Sequence, residues 1–431
     1  MTGLSAPPLK KEVSVTQWLA DLRTQAYARY EKTGFPTRQW EAWKYMDLAP
    51  MNAALAGTSP KNLADVILDD INPYLIKPEA ARIVFVNGVY SKPLSFCGKP
   101  GKFTLEHLES AFRSHPSELN EHLGKLTTAE KSTFVDINTF SFRDGVFLSV
   151  PEGTQVEGAI ELLFIHTEDH PEPLIVHPRI LILVGKNAKA HVVSSHIALG
   201  QRVCAGNEVM EAYLEPSAEL EYVNVHRGGP KAVQFFTGFF SLKEKSVLKA
   251  FTFVDGEGVT RSDIKTHFDG PGAQAFLQGL ALLSGVAQVF THATADHEAQ
   301  KGLSRQSYKN ILSGQSQSEF NSLVSVRPTG AKTDSQQLSR SLLLSEGAVA
   351  HARPQLRIDI DDVVCAHGAT VGQLQKGELF YLRTRGLSEK DARFMLTFGF
   401  AEETLNAVEL PLLREMLRER ISEKLGKIVG V

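Results

Sequence analysis

The sequence predicts a mainly β protein, with a parallel β-helix core between N-terminal and C-terminal α-helical regions. Three observations lead to that class. From Asp144 to about Ile360, apolar and polar residues alternate with the period of two that a half-buried strand requires. The strands in this stretch are introduced again and again by one loose turn pattern. Helical spacing of three and four residues returns on both sides of it. The expected units are a mainly helical domain with a β-hairpin over 1–140, the β-helix over 141–375, and a helical domain over 376–431.

The repeat starts at Lys186, Glu215, Lys243, Gly270, Ser313 and Ser345, each a turn followed by a small residue and an alternating strand. Most copies recur at roughly 27 to 32 residues, with one longer gap, which is the range of solenoid repeats. In a solenoid each coil buries its inward side chains on the coils above and below, so the ends need caps. About 215 residues at about 25 to 30 per coil give some seven or eight coils, a rod about 35 to 40 Å long. A β-sandwich is the competing architecture.

In the first region, Trp18, Leu19, Leu22, Ala26 and Tyr30 form the apolar face of a helix over 16–32, which stops at Gly34-Phe35-Pro36. Two tryptophans and a tyrosine crowd into Arg38–Tyr45, where core packing competes with a binding groove and no chemistry is assigned. Arg82–Ser91 reads as a hairpin about Asn87-Gly88. Residues 104–131 return to helical spacing through Leu105, Leu108, Phe112, Leu119, Leu123 and Leu126, broken at Pro116.

In the tail, Ser388 and Asp391 resemble a capping box that starts one helix. A second follows Pro411 with Leu413, Leu417, Ile421 and Leu425 spaced four apart. That stripe needs a partner, either this chain's own β-helix or another chain.

The densest candidate chemistry lies where the β-rich stretch ends, at Arg353–Gly372. Leu356, Ile358 and Ile360 alternate with Arg357, Asp359 and Asp361, so the segment reads as a strand. On a strand Cys365 and His367 share a face, their Cα atoms about 6 to 7 Å apart, and could converge on one soft metal atom. Two ligands do not close a site. The same pair also fits a buried core thiol and a histidine hydrogen-bonded at the strand end before Gly368. His292 and His297, near Asp296 and Glu298, read as a solvated loop rather than a metal site.

The net charge of −3 over 431 residues, with both signs interspersed, offers no footprint for nucleic acid. The most apolar long window, 273–290, is interrupted by glutamines and glycines and reads as packed strands, not a membrane span. Met1–Lys11 has no apolar signal core, so a cytosolic setting is expected. Cys97, Cys204 and Cys365 are too few and too far apart for a disulfide framework or a Cys-x-x-Cys site. No phosphate-binding loop, nucleophile elbow, zinc-protease or kinase motif occurs. A carbohydrate-cleaving β-helix remains as an enzyme reading, weakened because Asp359, Asp361 and Asp362 sit beside a cysteine and a histidine rather than on an aromatic platform.

Over nearly its whole length the chain resembles the SufB/SufD family of iron–sulfur cluster assembly proteins. The motifs that carry the likeness are Arg353–Ile358, Asp361–Gly372, Leu379–Leu387 and the helix around Ala392. Gly34–Tyr45 and the near absence of cysteine resemble the SufD branch. The resemblance implies a right-handed parallel β-helix between helical regions. It implies a non-ATPase subunit that pairs with a SufB-like paralogue through the β-helix and binds a SufC-like ABC ATPase through its C-terminal helices, the partner supplying ATP hydrolysis. An isolated chain would be expected to pair with a second copy. It further implies that His367 serves as a ligand for a transient Fe–S cluster or iron shared with SufB, with Cys365 either an auxiliary ligand or a structural thiol. The Leu413, Leu417, Ile421 and Leu425 stripe becomes part of the expected ATPase-facing region. Reduced flavin is associated with such complexes, and nothing in the sequence marks a flavin site. A purely architectural partner of SufB is the alternative role.

Overall fold

The computed structural model describes residues 17–55, 57, 65–76, 79–96, 102–128, 132–168 and 173–430. Strand makes up 43% of the described residues and helix 26%, and the strands wind into a parallel solenoid with helices at both termini, as the alternation and the turn repeat predict. Two sheets face each other. In spatial order the first contains β2 (Val89–Tyr90), β1 (Glu79–Val86), β5 (Gln155–His166), β8 (Lys189–Ala198), β10 (Glu219–Arg227), β12 (Val247–Val254), β14 (Gln274–Leu283), β16 (Leu303–Leu312), β18 (Asp334–Leu343) and β20 (Val364–Gly372). The second contains β19 (Val349–Ile358), β17 (Gln317–Val326), β15 (Gln288–His297), β13 (Val259–Phe268), β11 (Ala232–Leu242), β9 (Cys204–Leu214), β7 (Arg179–Val184), β4 (Gly145–Val150) and β3 (Thr104–His107), with β6 (Leu174–Val176) also paired to β9.

From β8 onward the coils of the first sheet stack in strict register. One column of the first sheet runs Glu219, Val247, Gln274, Leu303, Asp334, Val364. The turns into β8, β10, β12, β14, β16 and β18 each hold one residue in the left-handed region: Asn187, Ser217, Lys245, Gly272, Lys301 and Lys332, with φ between 55° and 73°. That conformation costs a non-glycine residue roughly 1–2 kcal/mol. It turns the backbone N–H toward the next coil, where Ser217 donates to the Glu244 carbonyl at 2.8 Å and Lys301 to the Ala331 carbonyl at 2.8 Å. The residue that follows is small and buried, as at Ala188, Ala218, Ser246 and Ala273. This is the physical content of the repeat. Its last two copies, at Ser313 and Ser345, open strands of the second sheet, so the longer gap is the step from one face to the other.

The first end of the rod is closed. Asn87 and Gly88 both have positive φ and turn β1 back into β2 as an antiparallel hairpin, and β3 runs antiparallel to β4. The helical reading of 104–131 is therefore corrected: Thr104–His107 is a strand because it completes the second sheet. The helices of that segment are α4 (Leu108–Ser114) and α5 (Pro116–His122), with Pro116 in the first turn, where its missing N–H costs nothing.

The remaining N-terminal helices are α1 (Gln17–Thr33), α2 (Ala49–Leu55), α3 (Leu68–Ile71) and α6 (Thr133–Ser141). Tyr27 and Tyr30 pack on Phe140 to join α1 to α6. Trp43 and Phe134 then stack on Phe235 of the second sheet, and the Arg261 guanidinium lies 3.8 Å from the Trp43 ring centre. The tryptophan-rich segment is thus packing. A fully buried ion pair, Arg179 to Glu211 at 2.5 Å, adds a polar tie, since Glu211 also accepts the N–H groups of Gly124 and Leu126.

After β20 come α7 (Lys376–Thr384), α8 (Glu389–Leu405) and α9 (Pro411–Val429). Ser388 caps α8 by accepting the Asp391 N–H at 3.1 Å. Helices α8 and α9 lie on the outer face of the first sheet. Leu413, Leu417, Ile421 and Leu425 are at most 2% exposed and pack among Val223, Val225, Phe251, Phe253, Leu280 and Leu282. The expectation that this stripe faces a partner is corrected: the outward-facing Val223 and Val225 of β10, Phe251 and Phe253 of β12, and Leu280 and Leu282 of β14 take it up. Lys309 to Glu403, Lys249 and Lys189 to Glu409, and Arg420 to Asp255 fix the same seam at its margins.

Candidate functional site

The far end of the rod is open. Strand β19 pairs with β17 and β20 with β18, and each is the last strand of its sheet. Their outer edges carry unpaired backbone donors and acceptors, which are templates for another strand. Val349, Ile358, Val364 and Val371 are 44%, 41%, 70% and 47% exposed, whereas matching positions one coil inward are mostly covered.

Cys365 and His367 lie in inward-facing columns of this last coil. Below Cys365 stand Ser335, Ser304 and Ala275, and below His367 stand Gln337, Gln306 and Leu277, all buried. With no further coil above, Cys365 is half-buried against the lumen core together with Leu356, Ile360 and Val363, and His367 is exposed. The strand reading placed both on one face, and the register does so.

Burial pushes the Cys365 thiol up, and the nearby Asp334 carboxylate adds to this, against a hydrogen bond from the Ser335 backbone. The group is a thiol at neutral pH, so its recruitment as a ligand requires a cation beside it. Cys204 is pushed up to about 12 by burial and is an inert core residue. Cys97 lies outside the described residues.

The lumen beneath this coil is polar, which sequence reasoning missed. His297 Nε2 lies 2.9 Å from Ser304 Oγ, and Ser304 Oγ lies 2.7 Å from Ser335 Oγ. Gln337 donates to Ser322 Oγ at 2.5 Å, and Ser322 donates to Gln306. The signal is present in the sequence: Ser304 and Gln306, then Ser335 and Gln337, occupy the alternate positions where earlier coils carry Leu248 and Ala250, then Ala275 and Leu277.

The loop reading of His292 and His297 is corrected. Both lie on β15, His292 outward toward Asp263 and Glu319, His297 buried and stacked on Phe268 with ring centres 3.9 Å apart. An odd spacing on a strand sends them to opposite faces. Among the described residues, two clusters have ligand atoms close enough for a metal, His107 with Glu109 and Asp144, and His191 with Glu221 and Glu409. Neither includes Cys365 or His367, and both are occupied internally. Asp144 binds His107 and the Glu109 N–H, while Glu409 is neutralised by Lys189 and Lys249.

A profile of the SUF-system FeS cluster assembly SufBD core domain matches residues 164–400, and one of the SufBD protein N-terminal region matches residues 10–162. This chain belongs to the SufBD family. The core match spans the whole stack from β8 to β20, so the open last coil is part of the family's shared domain. An iron–sulfur cluster assembly SufBD family protein of Synechocystis is 29% identical over 90% of this chain and 87% of its own length. The iron–sulfur cluster assembly protein SufD of Escherichia coli is 24% identical over 91% of this chain and 90% of its own. A chloroplastic protein of Arabidopsis thaliana, ABCI7, is 24% identical over 71% and 65% respectively. As a SufBD family member, the chain is placed in iron–sulfur cluster assembly. Among the described residues no helix is long and apolar enough to cross a membrane.

Proposed function

We propose that this chain is a SufD-type assembly subunit without enzymatic activity of its own, working in the cytosol, whose open coil pairs with a SufB-like paralogue. The observation that carries the reading is the uncovered last coil. Two adjacent strand edges end the rod, the exposed Val349, Ile358, Val364 and Val371 line them, and His367 stands among them. A neutral imidazole there supplies one ligand, and the paralogue supplies the thiolates that this chain lacks. The Fe–S cluster is cargo, held transiently at the joint. Cys365 serves as an auxiliary ligand once iron is present to lower its thiol pKa.

ATP hydrolysis belongs to a SufC-like partner. Its docking face is the exposed side of the C-terminal helices rather than the Leu413–Leu425 stripe. Phe380 and Tyr381 on α7, Met395 on α8 and Leu412 on α9 are each more than half exposed. Aromatic and methionine side chains of this kind make anchors in pockets of a partner. Because α8 and α9 are fastened to the outer face of the first sheet, force on them is delivered to the solenoid.

The test is His367→Ala in the assembled complex, scored by the amount of Fe–S cluster built anaerobically. Loss of most of the cluster with the complex intact supports the ligand role. Unchanged yield would leave the chain as an architectural half of the pair.

A further inference from the structure

A groove of about 1090 Å³ runs between α9 and the turns that lead from the first sheet to the second. It lies on the flank of the rod, away from the open coil, and the proposed function makes no use of it. Its floor holds three cations around one carboxylate. Arg420 pairs with Asp255 Oδ2, and Lys424 donates to the Asp255 backbone carbonyl at 2.7 Å. Arg227 lines the same floor, its guanidinium 5.8 Å from the Tyr74 ring centre.

Two polar atoms of this floor have no use in the fold. Arg227 Nε is buried without a hydrogen-bond acceptor, and Arg227 makes no ion pair among the described residues. Asp255, 2% exposed, has its Oδ1 buried without a donor. Burial also holds Arg227 and Lys424 below their usual values, an effect that the nearby Asp255 carboxylate opposes without cancelling. An orphaned donor and an orphaned acceptor in one polar cavity call for a bound group able to satisfy both.

The glycines in these turns serve the close stacking of the coils. Gly229 and Gly256 stack on Gly200 and Gly228 so tightly that a Cβ would meet backbone atoms at 2.8 and 2.9 Å. Glu257, Glu419, Glu423 and Lys427 also line the groove, and Glu423 pairs with Arg420 and Lys427. The groove as a whole is therefore close to neutral, and the preference for an anion is confined to the floor.

We propose that this groove binds a protonated phosphate, as hydrogenphosphate or as the monoanion of a phosphate monoester. Its anionic oxygens accept from Arg227 and Lys424, and its P–OH donates to Asp255 Oδ1. The carboxylate gives the site its selectivity. Sulfate is equally tetrahedral but carries no proton near neutral pH, so it meets Asp255 as one acceptor facing another. The volume leaves room for an organic body beyond the phosphate.

The test is calorimetric titration of the full chain near pH 6, where a monoester is about half protonated, with phosphate, sulfate and ribose 5-phosphate at matched ionic strength. Phosphate binding at least tenfold tighter than sulfate is expected. Arg227→Gln should weaken phosphate at least tenfold, and Asp255→Asn should erase the discrimination, with thermal melting confirming that each variant is folded. Tighter binding of ribose 5-phosphate than of phosphate identifies a monoester, and equal binding identifies the free ion. Equal affinity for phosphate and sulfate, or no heat with either at millimolar concentration, overturns the proposal on the unaltered protein. So does an unchanged affinity in folded Arg227→Gln.

Discussion

Replacing Leu417 with alanine separates an internal seam from a partner surface. Leu417 is fully buried between α9 and the first sheet. The change removes three carbons, worth about 0.8 kcal/mol each on transfer from water. A residual cavity raises the loss to roughly 3–4 kcal/mol, within the range for buried leucines. The cost falls on the attachment of α8 and α9, because the contacts of Leu417 lie in that seam. Hydrogen exchange should therefore quicken in Glu389–Val429 before it changes in the solenoid, and the melting temperature should fall. Phe380→Ala, on a side chain 70% exposed, should change stability by less than about 0.5 kcal/mol and instead weaken capture of the ATPase. If Leu417→Ala kept full stability and native exchange yet lost the ATPase, the stripe would be a partner face and the packing argument would be wrong.

Further outcomes are expected elsewhere in the chain. Glu211→Ala strands the Arg179 guanidinium in a fully buried position and should cost about 3–5 kcal/mol in chemical denaturation. His297 is held down to about 4 by burial from its usual 6.5, so the unfolded chain takes up the proton first. Its contribution is complete above pH 6.5 and is lost as pH falls toward 4, by up to roughly 3 kcal/mol. His297→Gln should flatten that limb in melts recorded across this range. In the isolated native chain Cys365 should alkylate slowly at pH 7 and faster as pH rises above the ordinary thiol range, while Cys204 stays unmodified until the protein unfolds.

Much of this architecture could be read from local signals, and the exceptions have physical causes. The turn repeat marks the coils because each needs a left-handed residue followed by a small one. It is blurred because lysine, serine and asparagine fill the left-handed position more often than glycine, at Lys245, Lys301, Lys332, Ser217 and Asn187 against Gly272. Thr104–His107 reads as helix because Leu105 and Leu108 have the helical spacing of three, and only the β4 edge decides for strand. The amphipathic stripe of α9 was evident, but its partner was not, since a sequence gives the face of a helix and not what lies on it. Cys365 and His367 could be placed on one strand face from alternation alone. That the coil above them is missing depends on where the stack ends, which only the sheet order reveals.

The central claim is that the open coil is the joint to a SufB-like paralogue. The most direct measurement is anaerobic co-purification of the N-terminally tagged chain, co-expressed with the SufB-like and SufC-like proteins, against a Val364→Lys, Val371→Lys double variant. Both side chains are exposed, so the variant should fold normally while placing charge on the bare edge. The account predicts that the unaltered chain brings down both partners and that the variant retains the ATPase and loses the paralogue. Retention of the paralogue by the variant, or an unaltered chain that emerges alone, would contradict it.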